Sequence, residues 1–500
     1  MGEQQDGIGV GNQGAISLDT FGGKVQVEWD PQGAVSPLGQ LPFFIEFLKV
    51  SGLYDHFIAT CPLTYSSPNA PGVRDVMGTL LLSILAGHHR YAHISAIRFD
   101  GVNPGLLGMK KVVSEDAARR AMKSIEEDAG VSWLDDQLRL STEAAVAAGS
   151  WIPDTDTTVK CLYGKQEGAV VSYNPTKRGR PSHNYRSCFM ANTRMALCVE
   201  VNQGNEHTAR HVMPSLWNYY DSLSPERRPA LIRGDIFLGN EGFLAAAESR
   251  FAHYLTKLRL TANVKRLIER LFFSATWVDA GHGYEGAESE LKLDGWTRSR
   301  RVIVTRREIK DNIVLTDDKQ LNLAFIDTAE TARRYEYAVL VTDLPYDIYA
   351  ISQLYRDRAD AENCFDELKN QWGWGGYTTQ DLKRCRLISR MVAPVYNWWS
   401  LFVRLASGKH HEAITSRPLL LYGVARQTKH AGQTTLTISN KHAKSSVVIH
   451  LLQELNTFLK YLKINAEQLQ VAQRMALIVK KAFQNLLAKS GSPPLLPAPI

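Results

Sequence analysis

Three carboxylates sit where chemistry is usually done. Asp156 lies in a short strand-like run, Trp151 to Val159. Asp235 ends another, Pro229 to Asp235, and Glu362 lies in a helical stretch, Leu354 to Trp372. Strand and helix ends at one sheet edge commonly carry catalysts, because the sheet fixes position while the loops leave access. Three converging carboxylates with no Cys/His ligand set point to a hard cation, magnesium or manganese rather than zinc. Two such ions about 4 Å apart activate an attacking oxygen and stabilise a leaving one. Without a cation the three acids would repel, and at least one would protonate.

The stretch around Glu362 has a face that an ordinary solvated helix does not need. At about 100° per residue, Tyr355, Arg358, Glu362 and Lys369 fall within about 60° of one another. Leu354, Ala361, Phe365, Leu368 and Trp372 form an adjacent apolar stripe, and Asp366, Glu367 and Asn370 fall on the remaining solvent arc. A guanidinium forks onto phosphate, an ammonium adds a point charge, and a phenol donates or stacks. The plainer reading is an exposed i,i+4 Arg–Glu pair. It leaves Tyr355 and Lys369 on the same strip unexplained.

The elements that must position these groups change along the chain. Residues 40–125 alternate helical patterns with polar breaks. Gly105, Gly108 and a helix capped by Ser114 suit either a helix-turn-helix-like DNA reader or a plain helical bundle. From about 150, strands, helix, strand, helix and strand indicate an α/β sheet of mixed direction. A Gly-rich basic loop runs from Tyr163 to Arg186 and contains Lys177, Arg178 and Arg180, with His183 near its end. Between 270 and 345 strand patterns dominate, at Val302–Thr305, 312–315, 323–326 and Tyr337–Thr342. This part opens with Trp296, Arg298, Arg300, Arg301, Arg306, Arg307 and Lys310, against a single opposing Glu308. Helical patterns return from Arg386 to Leu405, His450 to Leu462 and residues 466–487.

The 500 residues suggest two to four domains. A net charge of +7 leans toward polyanionic partners without requiring them. Six scattered cysteines form no CxxC and no zinc spacing, as expected of free thiols in a reducing compartment. No signal-peptide pattern opens the chain. The longest apolar run, Val76 to Ala86, is about half the length needed to cross a bilayer. The expectation is a soluble cytoplasmic protein.

The series Tyr355, Arg358, Glu362, Lys369 resembles the Tyr-Arg-Glu-Lys signature of DDE transposases of bacterial insertion sequences, the group with the Tn5-like enzymes. The segments Asp154 to Lys160, Tyr163 to Gly168, Lys177 to Ser182 and Leu231 to Asp235 resemble the family's first and second aspartate regions. The resemblance covers roughly residues 40–460. It implies an α/β fold with a ribonuclease-H-like core, a β-rich insertion before the glutamate, and flanking helical N- and C-terminal regions. The matching divisions are a disordered tail 1–20, a helical DNA-binding region 21–145, core 146–265, insertion 266–346, core 347–410 and a helical region 411–500.

Carried onto this chain, the resemblance makes Asp156, Asp235 and Glu362 the catalytic acids and the ligands of two Mg2+ ions, with Mn2+ as the alternative. Asp154 is the rival first acid, and the Thr157–Thr158 pair after Asp156 favours Asp156. Asp366 stands in reserve for the third acid. Tyr355, Arg358 and Lys369 would contact phosphates of the transposon end. Trp296 is expected either to stack on a flipped base or to plug the insertion. Lys177, Arg178, Arg180, Arg298, Arg300 and Arg301 would hold the DNA backbone. The implied partners are double-stranded transposon-end and target DNA, and a second copy of the chain in the DNA complex, near the nucleoid. The competing expectations are a metal-dependent nuclease that cuts without joining and a non-catalytic DNA-binding derivative.

Overall fold

The computed structural model describes residues 16–28, 30, 33–65, 67–172, 174, 177–206, 213–309, 335–465 and 469–489. Apolar alternation gives a ten-stranded sheet. Its strands are β1 (Pro153–Cys161), β2 (Val170–Val171), β3 (Pro181–Met190), β4 (Met195–Gln203), β5 (Ile232–Gly234), β6 (Tyr254–Lys257), β7 (Val278–Gly281), β8 (Tyr284–Leu291), β9 (Arg300–Glu308) and β10 (Tyr335–Thr342). The order is β7-β8-β9-β10-β6-β5-β1-β3, with β2 and β4 also paired to β3. β3 pairs antiparallel with both β1 and β4, whereas β5 and β6 run parallel to β1. β10 joins β6 antiparallel, so the strands of the expected insertion continue the same sheet.

The labelled helices are α1 (Leu41–Ser51), α2 (Val73–Leu85), α3 (Glu115–Ser124), α4 (Glu127–Ala147), α5 (Glu241–Ser249), α6 (Ile348–Arg356), α7 (Ala359–Gln371), α8 (Leu382–Ser407), α9 (Ser445–Ile464) and α10 (Val471–Ala482). The Ser114 hydroxyl caps α3 by accepting from the Ala117 N–H. α8 is buried along nearly its whole length and is the hub of the core. Phe44 of α1 meets Trp399 and Phe402 edge-on at 5.3 and 5.2 Å. Asn397 binds the Ala196 carbonyl of β4 (2.8 Å) and the Ser141 hydroxyl of α4 (3.0 Å). A polar group so buried specifies one register of helix on sheet. Among the described residues no helix is long and apolar enough to cross a membrane.

Several sequence expectations change. Leu354–Trp372 is two helices and not one. At the junction the Arg358 N–H donates to Tyr355 (3.2 Å) and the Ala361 N–H to Arg358 (2.9 Å). These i→i+3 bonds tighten the turn, a pattern that often marks function within a helix. A wheel drawn at a constant 100° therefore loses phase after Asp357, and Glu367, expected on the solvent arc, is 1% exposed. Ile16–Thr20, within the expected disordered tail, pairs with Gly23–Val27 as an exposed hairpin. Pro181–Arg186, expected in a loop, belongs to β3, where His183 and Arg186 are fully buried. The C-terminal third is not all helical: Ala425–His430 pairs with Gln433–Ile438 and with Val35–Ser36. The expected strands at 312–315 and 323–326 and Lys310 lie outside the described residues, as does most of the tail.

Candidate active site

The strand register builds the floor of the site. Thr155 of β1 is aligned with Gly234 of β5, and Gly234 with Thr256 of β6. The next residue of each strand extends the row: Asp156, Asp235 and Lys257. Gly234 is required there, since a Cβ would lie 2.4 Å from the Leu238 side chain and 2.6 Å from Thr155 Oγ1. The Thr256 hydroxyl donates to the Asp235 carbonyl (2.8 Å), fixing the residue where β5 ends.

Above this floor, Arg358 gathers the acids. Its Nη1 lies 3.2 Å from Asp156 Oδ2 and its Nη2 lies 3.1 Å from Glu362 Oε1. The Tyr355 hydroxyl donates to Asp235 Oδ1 at 3.4 Å, and Arg358 sits 5.7 Å from the Tyr355 ring centre. Burial pushes the Asp156 carboxyl up to about 6, and the neighbouring Asp235 charge adds to this while Arg358 opposes it. Burial works against the Arg358 charge, but Tyr355, Asp156 and Asp235 outweigh it and hold its pKa above the ordinary value. Burial, with Asp235, raises that of the Tyr355 phenol. Glu362 differs: its side chain is 64% exposed, at the mouth of the site.

Asp154 is engaged elsewhere. Arg233 forks onto it at 2.6 and 2.8 Å, with both side chains at most 3% exposed. The third guanidinium arm donates to the Leu354 carbonyl at 2.5 Å, tying β1 and β5 to α6. Asp154 is therefore a strut beneath the site.

Among the described residues no three His, Cys, Asp or Glu side chains close into a metal-binding group. The donor set nevertheless suits a hard cation: it is all carboxylate oxygen, and positive charge from Arg358 already stands between Asp156 and Glu362. A cavity of about 190 Å³ opens beside these groups, lined by Tyr355, Arg358 and Glu362 and also by Lys257, Tyr284 and Arg356. Sequence reading singled out none of the latter three. No local signal marks Lys257, because the pairing that sets its strand beside β5 is visible only in the fold.

Other expected site residues lie elsewhere. Lys369 is half-buried, and among the described residues it forms no ion pair with the three acids. Asp366 is exposed and accepts from Asn370. Glu367 accepts from the Trp372 indole (3.1 Å) and the Ala413 N–H (3.0 Å). Trp296 is 6% exposed in the main core, with Arg300 4.9 Å from its ring centre. Arg300 is ion-paired with Glu241 and Glu248 of α5, and Arg298 also pairs with Glu248. Arg301 forks onto Glu288 of β8. The charge run that looks unopposed in sequence is thus opposed across strands and by α5. Lys177 donates to the Tyr163 hydroxyl (2.6 Å), and Arg180 lies 5.5 Å from the same ring centre. Lys177, Arg178 and Arg180 are exposed.

The family described as transposase DDE domain group 1 matches residues 22–459. The chain belongs to this family of DDE transposases. No curated protein matches it. Among solved structures it is similar to a chain of the piggyBac transposase synaptic complex with hairpin DNA, at 10% identity and a TM-score of 0.38, covering 94% of this chain and 88% of that one. Divalent-metal chemistry is general to DDE transposases, which agrees with the carboxylate donor set.

Proposed function

We propose that the chain is an insertion-sequence transposase of the Tn5-like group, with Asp156, Asp235 and Glu362 as its catalytic acids. One observation carries this reading. Residues far apart in sequence meet through Arg358 and Tyr355, which link Asp156, Glu362 and Asp235 at 3.1–3.4 Å. We take β4-β3-β1-β5-β6 as the ribonuclease-H-like core, three antiparallel strands followed by two parallel to the first. This places both aspartates at neighbouring strand positions.

Asp156, Asp235 and Glu362 would hold two Mg2+ ions, or Mn2+, whose Lewis acidity makes water a nucleophile and neutralises charge on the phosphate. In the first step, water adds to a phosphodiester at the transposon end and the P–O3′ bond breaks. This leaves a 3′-hydroxyl and a 5′-phosphate. In the second, that hydroxyl attacks a target phosphodiester, displacing a target 3′-oxygen that takes up the proton. Arg358 is placed to exchange a carboxylate for a phosphate as DNA arrives, its planar fork fitting either anion. Exposed Glu362 leaves the mouth open to a strand. Double-stranded DNA, a dimer pairing two ends, and action on a bacterial nucleoid belong to this reading.

The test incubates purified protein with Mg2+ and duplexes copied from the DNA flanking the gene. Wild type should cleave and then join. Asp156→Ala, Asp235→Ala and Glu362→Ala should each abolish cleavage while retaining end binding. Cleavage surviving in Glu362→Ala overturns the assignment. Cutting without joined product from pre-cleaved ends indicates a nuclease instead.

A further inference from the structure

Lys257 is the third member of the strand row that carries Asp156 and Asp235. It ends β6, the strand parallel to and beside β5. It is half-buried and lines the cavity shared with Tyr355, Arg358 and Glu362. Among the described residues its ammonium has no hydrogen bond and no ion pair. The other cations of this cavity are held. Arg358 bridges Asp156 and Glu362. Arg356 donates to the Ala280 carbonyl (2.8 Å) and to Gln353 Oε1 (3.0 Å). Glu336, also on the wall, is paired with Arg307 at 3.1 Å.

Half-buried on the wall of an open cavity, a lysine can pack its stem and keep its charged head in solvent. An anion entering beside Glu362 would find in Lys257 a cation that need not first give up a protein hydrogen bond, as Arg356 and Arg358 must. We infer that Lys257 binds a backbone phosphate of the DNA strand that the acids cut, in the cavity between the end of β6 and the α6–α7 junction. The inference rests on the transposase reading above and adds to it a phosphate contact outside the Tyr-Arg-Glu-Lys series. As a point charge, Lys257 would hold the strand's position and not read its sequence.

The test measures equilibrium binding of a fluorescent duplex, copied from the DNA flanking the gene, across a KCl series. Wild type, Lys257→Ala, Lys257→Met and Lys257→Arg are compared, with their melting temperatures. Met keeps the apolar stem, which separates charge from packing. Loss of one phosphate contact lowers the slope of log K against log salt by about 0.9. The expected result is that drop in both the Ala and Met variants, with Arg restoring the wild-type slope and Met melting at the wild-type temperature. An unchanged slope in the Met variant overturns the inference, whatever happens to Ala. If wild type still cleaves and Asp156→Ala does not, the transposase reading survives that failure. If wild type neither binds nor cleaves the flanking duplex, the reading falls and takes Lys257 with it.

Discussion

Asp154 and Asp156 lie two residues apart on one strand, yet their surroundings differ. Arg233, from the neighbouring strand, claims Asp154 in a buried fork, while Asp156 faces Arg358 and the cavity side. Taking one partner from a buried ion pair leaves an uncompensated charge and costs about 3–5 kcal/mol. Asp154→Ala should therefore lower stability by roughly that amount in a denaturant titration, with cleavage falling only in proportion to folded protein. Asp156→Ala should leave a folded, DNA-binding, inactive protein. A folded and inactive Asp154→Ala protein would reverse the two roles. Strand geometry could not separate them, because residues i and i+2 of a strand share a face; only the Thr157–Thr158 pair after Asp156 favoured it. The deciding partner, Arg233, is 79 positions away. What was legible was the pairing of residue types with place: Asp235 just past a strand end, and a Tyr, an Arg and a Glu at helical spacing; Asp156, expected near a strand end, lies within β1.

At the scale of elements, the basic segment from Arg298 to Arg307 shows how a charge count misleads. A strand exposes its charges to neighbours that sequence order does not reveal. Here those neighbours are Glu285 and Glu288 on β8, Glu336 on β10, and Glu241 and Glu248 on α5. Glu248 is the most affected. Burial alone would raise its pKa, but hydrogen bonds from Arg300, Arg298 and Tyr254 outweigh this and hold it at about 2. A depressed carboxyl contributes stability that is fully present above its ordinary value of 4.5 and is lost as pH falls toward 2. Glu248→Gln should therefore melt below wild type at pH 7, and the gap should narrow as pH falls from 4.5 to 2. A gap that stays constant would remove the linkage. Arg300→Met should likewise lower the melting temperature without changing the salt dependence of DNA binding, since Arg300 is 3% exposed and fully partnered. The split of Leu354–Trp372 belongs to the same scale. Periodicity grouped Tyr355, Arg358 and Glu362, which do meet, but a constant-pitch wheel has no means of registering the tightened turn at Arg358.

At the scale of the molecule, sequence reading placed 266–346 as an insertion between two parts of a core. Two of its strands, at Val302–Thr305 and Tyr337–Thr342, were legible from alternation and turn residues, whereas β7 and β8 were not. Its attachment was not, because pairing between distant strands leaves no local signature. β10 hydrogen-bonds to β6 through Leu340–Lys257, Val341–Thr256 and Thr342–Leu255, and the Thr342 hydroxyl donates to the Tyr254 carbonyl at 2.8 Å. Leu255, Ile303, Leu340, Ile351 and Leu354 share one apolar cluster, so the face that seats α6 is built partly from the insertion. Replacing residues 278–342 with a short Gly/Ser linker would strip β6 of a neighbour and expose its edge, which favours aggregation. It would also remove Ile303 and Leu340 from beneath Leu354, whose carbonyl anchors Arg233. The deletion protein should lose cooperative thermal unfolding and become sensitive to protease throughout residues 150–260. A compact, protease-resistant core after the same excision would show the insertion to be a separable unit. The sheet would then support Asp156 and Asp235 without it, and only the α6–α7 junction would depend on β9 and β10.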